Sequence, residues 1–346
     1  MSSIFSFNNL NIINPNLFDL FFFHIILIFK ILILIIFILI NVAYLTLLER
    51  KVLGAIHRRI GPNVVGVFGL LQPLADGLKL FVKENIQPSS ANKTIFLIAP
   101  MISFFISLLT WAAISFNSYF TFSNINLGAL YILAVGSLGT YGILMGGWSS
   151  NSKYAFLGGL RSTAQMVSYE LSLGFIVGTL SLVSGSFNIF VIIESQKYMW
   201  FIIPFFILGV TFFIAGLAET NRHPFDLPEA EAELVSGYNV EYSGMSFAMY
   251  SLAEYSNILL MSTLNAIFFF GGWQAGILSS YIFFESLVLA FKIVTVAILF
   301  IYMRALLPRY RYDQLMSLGW KSFLPIAITY FFLTFIFMNI FNLLPY

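Results

Sequence analysis

Six of the fifteen acidic residues in this chain fall within residues 218–244, which read AETNRHPFDLPEAEAELVSGYNVEYSG. They are Glu219, Asp226, Glu229, Glu231, Glu233 and Glu241. Elsewhere the chain avoids charge, with 9% charged residues against 59% hydrophobic. Carboxylates gathered in one loop of so apolar a chain bind cations or pass protons. Asp226-Leu227-Pro228-Glu229 has the pattern of a capping box, with an acceptor at the N-cap, Pro in the first turn and Glu at N3. The pattern predicts a short helix from about Leu227, with Glu229 and Glu233 on one face and Glu231 on another. Acids buried side by side cannot all ionise together, and a proton relay needs that property. A solvated acidic loop has the same composition, but Phe225, Leu234 and Val235 give this one apolar surface to bury.

A second set of ionisable groups lies inside apolar stretches: Glu170, Glu254, Glu285 and Lys292, with Glu219 at the end of one. A carboxylate in lipid costs about 3 kcal/mol or more, so each should face protein or water. Glu254 follows Tyr250 by four residues and shares its helix face. Glu285 and Lys292 share a face about 10 Å apart along the axis. That is too far for a direct pair but suits a water-linked row. Buried pairs that hold helices together would account for any one of these residues, and less readily for the whole set.

Two basic segments border the apolar stretches. Residues 48–69 read LERKVLGAIHRRIGPNVVGVFG. They suit either an anchor that snorkels to headgroups or a polar mouth lined by Glu49, Arg50, Arg59 and Asp76. The turn-forming Ile60-Gly61-Pro62-Asn63 favours the mouth, because an anchor needs no shaped turn. Residues 304–321 interleave Arg304, Arg309 and Arg311 with Tyr310 and Tyr312. Stacked Arg and Tyr would form a wall around a flat or anionic headgroup, and a plain basic interfacial loop is the alternative. The segment is too short and too close to the membrane to suit nucleic acid.

The elements that must position these groups are membrane helices. A mean hydropathy of +0.90 and 40 Phe in 346 residues exclude an ordinary soluble domain. A bilayer core of roughly 30 Å takes about 20 apolar residues as helix. Eight stretches qualify: 21–47, 94–116, 127–147, 164–185, 199–218, 248–270, 282–303 and 322–343. The first carries no small-residue cleavage site and reads as a retained span. Residues 68–83 are too short and too polar to span, and they predict an amphipathic interfacial helix with Pro73 in its path. The fold class is therefore all-α: a polytopic membrane protein of about eight spans plus that amphipathic helix. It reads as a single integral membrane domain over residues 1–346. If the spans alternate, the loops 48–93, 148–163, 219–247 and 304–321 share one side. They hold fourteen of the seventeen basic residues, which puts that side in the cytosol-equivalent compartment, the matrix in a mitochondrion.

Several chemistries are excluded or left unsupported. With no cysteine, disulfides and thiolate ligation of an iron–sulfur cluster are impossible. His24, His57 and His223 are scattered and suggest no metal site. There is no G-x-G-x-x-G and no P-loop, so nothing points to a nucleotide. A net charge of +2 decides nothing.

Five strings carry a resemblance: ERKVLGAIHRRIGPNVVGVFGLLQPLADGLKLFVKE, GLRSTAQMVSYELSLG, the acidic loop, LAEYSNIL and RALLPRYRYDQLMSLGWKSFLP. Together, from about residue 48 to 325, they resemble the quinone-tunnel membrane subunit of respiratory complex I, the proton-pumping NADH:ubiquinone oxidoreductase. The resemblance implies eight transmembrane helices and a quinone tunnel opening beside the first span. It places Arg50, Arg59, Asp76, Arg304 and Arg309 along that tunnel, and Glu49 and Phe225 join them as tunnel candidates. It matches Glu229, Glu231 and Glu233 to the acidic loop near the tunnel and Glu170, Glu219 and Glu254 to buried carboxylates, and Glu241, Glu285 and Lys292, read from their positions in the sequence, complete the candidate proton relay. Ubiquinone is then the substrate, and FMN and iron–sulfur clusters sit on partner subunits rather than on this chain. The implied partners are the peripheral quinone-module subunits, the small membrane-arm subunits and membrane lipid. The implied location is the mitochondrial inner membrane, with a bacterial plasma membrane as the alternative. Two rivals differ in class: the membrane subunit of a proton-pumping hydrogenase, and a stand-alone ion-coupled transporter. The transporter predicts inverted repeats and broken helices, and the sequence shows neither.

Overall fold

The computed structural model describes residues 17–118, 121–227, 237–274 and 282–342. The helices are α1 (Leu17–Ile56), α2 (Gln72–Val82), α3 (Lys93–Leu109), α4 (Gly128–Ser149), α5 (Lys153–Ser184), α6 (Ile189–Ser195) and α7 (Phe206–Glu219). They continue with α8 (Gly244–Phe268), α9 (Ile282–Leu306), α10 (Tyr312–Leu318) and α11 (Leu324–Ile340). Among the described residues the only β pairing is an isolated antiparallel bridge between Ser115 and Thr121. The chain divides into two compact units, residues 1–41 and 42–346, and every site described below lies in the second.

Among the described residues, six helical runs are long and apolar enough to cross a membrane: His24–Ile56, Lys93–Ala113, Gly128–Ser149, Lys153–Ser184, Phe283–Leu306 and Tyr312–Ile340. The other two expected spans take different forms. Residues 248–270 fall almost wholly in α8, which has 25 residues but carries Glu254, Asn257 and Asn265 along its length. Residues 199–218 are helical only from Phe206, and the 14 residues of α7 reach about 21 Å. Two expected loops are partly helical. α5 already begins at Lys153, where the Ser152 side chain accepts a hydrogen bond from Ala155 N at 3.4 Å. α10 passes through a π-helical turn, Gly319–Phe323, directly into α11. Backbone hydrogen bonding continues through these polar stretches, so hydropathy alone ended the helices too early.

The core of the larger unit is built on α3, α4 and α5, with α8 against α3 and α9, and α7 against α5 and α8. Small residues make this packing possible. A Cβ on Gly142 of α4 would lie 2.9 Å from the Ser103 Cβ of α3. Ser162, Ser168 and Ser172 on the buried side of α5 return their hydroxyls to carbonyls three residues back, so they enter the core without an unpaired donor.

α2 confirms the amphipathic reading and relocates its proline. The helix starts at Gln72, so Pro73 sits in the first turn, where its missing N–H costs nothing. Leu74, Leu78 and Phe81 form an exposed apolar stripe, and no α2 residue is buried.

Candidate functional site

Glu49 anchors the site. It lies near the end of α1, only 5% exposed, between Arg222 and Arg304. Arg222 Nη1 donates to Glu49 Oε1 at 3.0 Å, and Arg304 Nη1, near the end of α9, donates to the same oxygen. Arg222 also reaches the α8 carboxylate, with its Nε 2.9 Å from Glu254 Oε1. The guanidinium lies 4.6 Å from the centre of the Tyr255 ring. Charges thus alternate in a row: Arg304, Glu49, Arg222, Glu254. Burial works against the Arg222 charge, but Glu254 and Glu49 outweigh it and lift its pKa above the ordinary value. With both glutamates ionised the row carries no net charge, and an ionic cluster that balances in this way can exist inside an apolar bundle.

Glu254 opens onto a cavity of about 100 Å³ between α3, α4, α5, α7 and α8, and Glu170 and Glu219 line the same cavity. That is well above the roughly 10–15 Å³ that one water needs on this measure, so the cavity has room for water. Glu219 Oε2 and Asn221 Oδ1 are buried there without a protein hydrogen-bond partner, which is what water in such a cavity would satisfy. Asn221 stands at φ 50°, in the left-handed region that Asn tolerates, where the chain turns out of α7. The arrangement can hold, orient and exchange protons among three carboxylates, and through Glu254 it touches a chain of fixed charges.

The Arg222–Leu227 segment is held by neighbouring helices. Gln165 of α5 donates to Ala218 O at 2.8 Å and to Phe225 O at 3.0 Å. The Phe225 ring stacks on Tyr310, with centroids 5.6 Å apart, and lies 6.2 Å from Tyr169. Asp226 receives Arg309 Nη2 at 3.2 Å and faces His223 Nε2 at 2.9 Å. The expected stacking of arginines and tyrosines within 304–321 takes another form: Tyr310 packs on Phe225, and Tyr312 lies under Arg161 from α5.

A family profile described as NADH dehydrogenase matches residues 29–335. This chain belongs to the NADH dehydrogenase family. The H subunit of the NADH-quinone oxidoreductase of Paramagnetospirillum magneticum is 56% identical over 308 residues, covering 89% of this chain and 90% of that protein. NADH-ubiquinone oxidoreductase chain 1 of Chondrus crispus is 55% identical over 321 residues, covering 92% and 98%. The protein of the same name in Arabidopsis thaliana is 56% identical over 293 residues, covering 84% and 90%.

The residues that the family resemblance singled out fall into separate groups. Glu49 and Arg304 meet in the ion-pair row, and Glu170, Glu219 and Glu254 meet in the cavity. Arg50 pairs with Asp76 at 2.7 Å in a half-exposed contact that ties the end of α1 to α2. Lys51 Nζ donates to Phe68 O at 2.6 Å and adds a second tie at the end of α1. Arg59 is exposed, and its backbone N donates to Gly54 O at 2.9 Å. Phe225 is buried in aromatic packing and does not line the cavity. Glu241 is half-buried and also lies outside the cavity lining. Glu229, Glu231 and Glu233, with the helix expected from Leu227, lie outside the described residues.

Glu285 and Lys292 do not form the expected water-linked row with each other. Glu285 Oε2 accepts from Ser118 N at 3.0 Å and from Ser118 Oγ at 2.7 Å. Lys292 Nζ donates to the carbonyls of Phe270, Gly272 and Gln274 at 2.7, 2.8 and 2.9 Å. Gly271 and Gly272, at φ 73° and 51°, curl the backbone so that those carbonyls converge on the ammonium. All three donor hydrogens of Lys292 are thereby committed. Sequence reasoning misses Arg222, Tyr255 and Asn221 as site residues. The signal for Arg222 is a lone arginine inside an acidic loop, which a count of basic residues reads only as a positive-inside charge.

Proposed function

We propose that this chain works as the quinone-guiding, proton-coupling membrane subunit of an NADH-quinone oxidoreductase. The observation that carries this reading is the unbroken row from Arg304 through Glu49 and Arg222 to Glu254, which ends in a cavity shared with Glu170 and Glu219. Ubiquinone enters near the α1–α2 mouth, where Arg50, Asp76 and Lys51 surround an exposed apolar surface. Reduction changes the headgroup's charge and its demand for protons. That change acts on Glu49 and Arg304 and shifts the balance at Arg222. Glu254 then takes up or releases a proton, and the cavity passes it among Glu219, Glu170 and water. Glu229, Glu231 and Glu233 extend this relay from the acidic loop.

Flavin and iron–sulfur chemistry belong to partner subunits in this reading, and the peripheral quinone module delivers the electrons. The likeness to chain 1 of Chondrus crispus and of Arabidopsis thaliana supports the mitochondrial inner membrane, with the basic loops in the matrix. Heavy use of Phe, Ile, Asn and Tyr, all with A/T-rich codons, supports the same location. The test is Glu254→Gln in the assembled complex in sealed vesicles. Coupled quinone reduction should fall while the complex still assembles on a native gel. Full pumping at an unchanged proton-to-electron ratio would remove Glu254 from the relay and sink the reading.

A further inference from the structure

Asp226 holds two partners on one oxygen. Arg309 Nη2 donates to its Oδ2 at 3.2 Å, and His223 Nε2 lies 2.9 Å from the same atom. The Asp226 side chain is buried, while those of His223 and Arg309 are 24% and 32% exposed. Arg309 Nη2 and His223 Nε2 stand 3.4 Å apart. At 2.9 Å a bare imidazole nitrogen would meet the carboxylate lone pair to lone pair. Nε2 therefore carries a hydrogen and donates it to Asp226. Arg309 then finds no acceptor on the ring, and the 3.4 Å approach is that of two donors crowded onto one acceptor.

One positive charge balances Asp226, and Arg309 supplies it. A neutral imidazole adds a hydrogen bond and no charge. Histidine is the side chain whose charge ordinarily changes between about pH 5 and 8. The added proton goes to Nδ1, so the Nε2 contact with Asp226 survives protonation. Histidinium then competes with Arg309 for Oδ2 and repels the guanidinium at close range. His223 stands three residues from Asp226 in the same short segment, whereas Arg309 reaches in from the α9–α10 connection on a long side chain. The arginine is the partner that leaves. Among the described residues, Asp226 and Arg309 are the charged groups seated on the imidazole. The guanidinium of nearby Arg222 is turned to Glu49 and Glu254. Tyr310, the other titratable side chain on this segment, stacks on Phe225, and its backbone N donates to Pro224 O at 3.1 Å. Those contacts hold the two segments together when the guanidinium swings away.

We propose that His223 is a proton-operated positioning residue for Arg309. Neutral His223 leaves Arg309 latched on Asp226, and protonated His223 frees the guanidinium to meet the quinone headgroup. The second half rests on the reading of Arg309 as a quinone-tunnel residue. One solvent proton binds Nδ1, and no covalent bond in the protein breaks. Acidification of the basic face thereby strengthens quinone binding, because a freed guanidinium offers donors to the headgroup oxygens.

The experiment uses the assembled complex in native membranes. Its arginines are modified with phenylglyoxal at a series of pH values from about 6 to 8, spanning the ordinary histidine range, and the extent at each residue is read by mass spectrometry. Arg311, 79% exposed, corrects for the reagent's own pH dependence. From the alkaline to the acid end, the Arg309-to-Arg311 ratio should rise about two- to fivefold, the range set by a partly exposed ion pair. The quinone KM should fall alongside it. His223→Gln keeps a donor without a charge and should hold ratio and KM at their alkaline values. His223→Lys, charged throughout, should hold both at their acid values. A native ratio that stays flat, or one that changes as much in His223→Gln, overturns the latch. A ratio that responds while KM stays flat, in a complex where Arg309→Gln raises KM, overturns the link to quinone binding. An unchanged KM in Arg309→Gln sinks the tunnel reading of Arg309 and the quinone half of the proposal with it, while the ratio still decides the latch.

Discussion

Removing the Arg222 side chain gives the sharpest test of the charge row. In the native row two arginines face two glutamates, and Arg222 is the member that touches both acids. Arg222→Gln leaves Arg304 to balance Glu49 and Glu254 alone, so one negative charge remains without a partner in a nearly closed site. Removing one member of a buried ion pair costs about 3–5 kcal/mol. That corresponds to roughly 150- to 5,000-fold in the folded-to-unfolded ratio. For a chain of this size it lowers the midpoint for heat-induced loss of structure by about 4–7 °C. The assay is a temperature series on gently solubilised membranes, read as the fraction of assembled complex on a native gel. The decisive comparison is the charge-balanced double variant, Arg222→Gln with Glu254→Gln. It removes one charge of each sign and should regain at least about half of the lost stability, while leaving coupled quinone reduction impaired. The reasoning fails if the single variant is as stable as the native protein. It also fails if the double variant is no more stable than the single one.

Two further predictions address the frame around the site. A Cβ on Gly146 would collide with the Tyr250 hydroxyl, so Gly146→Ala should lose about 1–3 kcal/mol of stability. Adding Tyr250→Phe should recover part of that loss in the same heat series. Lys292→Met strands the carbonyls of Phe270, Gly272 and Gln274 and should cost about 3 kcal/mol or more, read as reduced assembled complex. Lys292→Arg should not rescue it, because a planar guanidinium cannot place three donors on a converging set of carbonyls. Equal assembly in Lys292→Met would refute the clasp.

In the function proposed above, the row and the cavity divide the work of the protein between fixed and mobile charge. Arg304, Glu49 and Arg222 are locked by short ion pairs, so they respond to a charge change nearby by altering the field at the next member rather than by moving. Glu170, Glu219 and the far side of Glu254 face a space large enough for water, where protons can move. Arg222 joins the two regimes. Its position just after α7 is kept by Gln165, whose amide clamps Ala218 O and Phe225 O on either side of it.

Fold class, the amphipathic helix and the buried carboxylates are legible in the residue order alone. Each of these depends on a local quantity: a run of apolar side chains fits lipid wherever its neighbours lie, and a carboxylate inside such a run is costly in any surroundings. Glu170, Glu219 and Glu254 therefore stand out before their common cavity is seen. Helix ends are less legible, as α5 at Lys153 and α10 at Tyr312 show, because backbone hydrogen bonding continues through residues that hydropathy assigns to a loop. Partnership is not legible at all. Glu49 pairs with Arg222 and Arg304, which stand 173 and 255 residues away along the chain. Lys292 looks like a relay partner for Glu285 by spacing, yet its ammonium is spent on a glycine turn from another segment. Phe225 packs between Tyr169 and Tyr310, contacts that its place in the sequence does not announce. These choices are made in three dimensions, because an ion pair or a ring contact acts over a few ångströms in space and leaves no periodic trace along the chain.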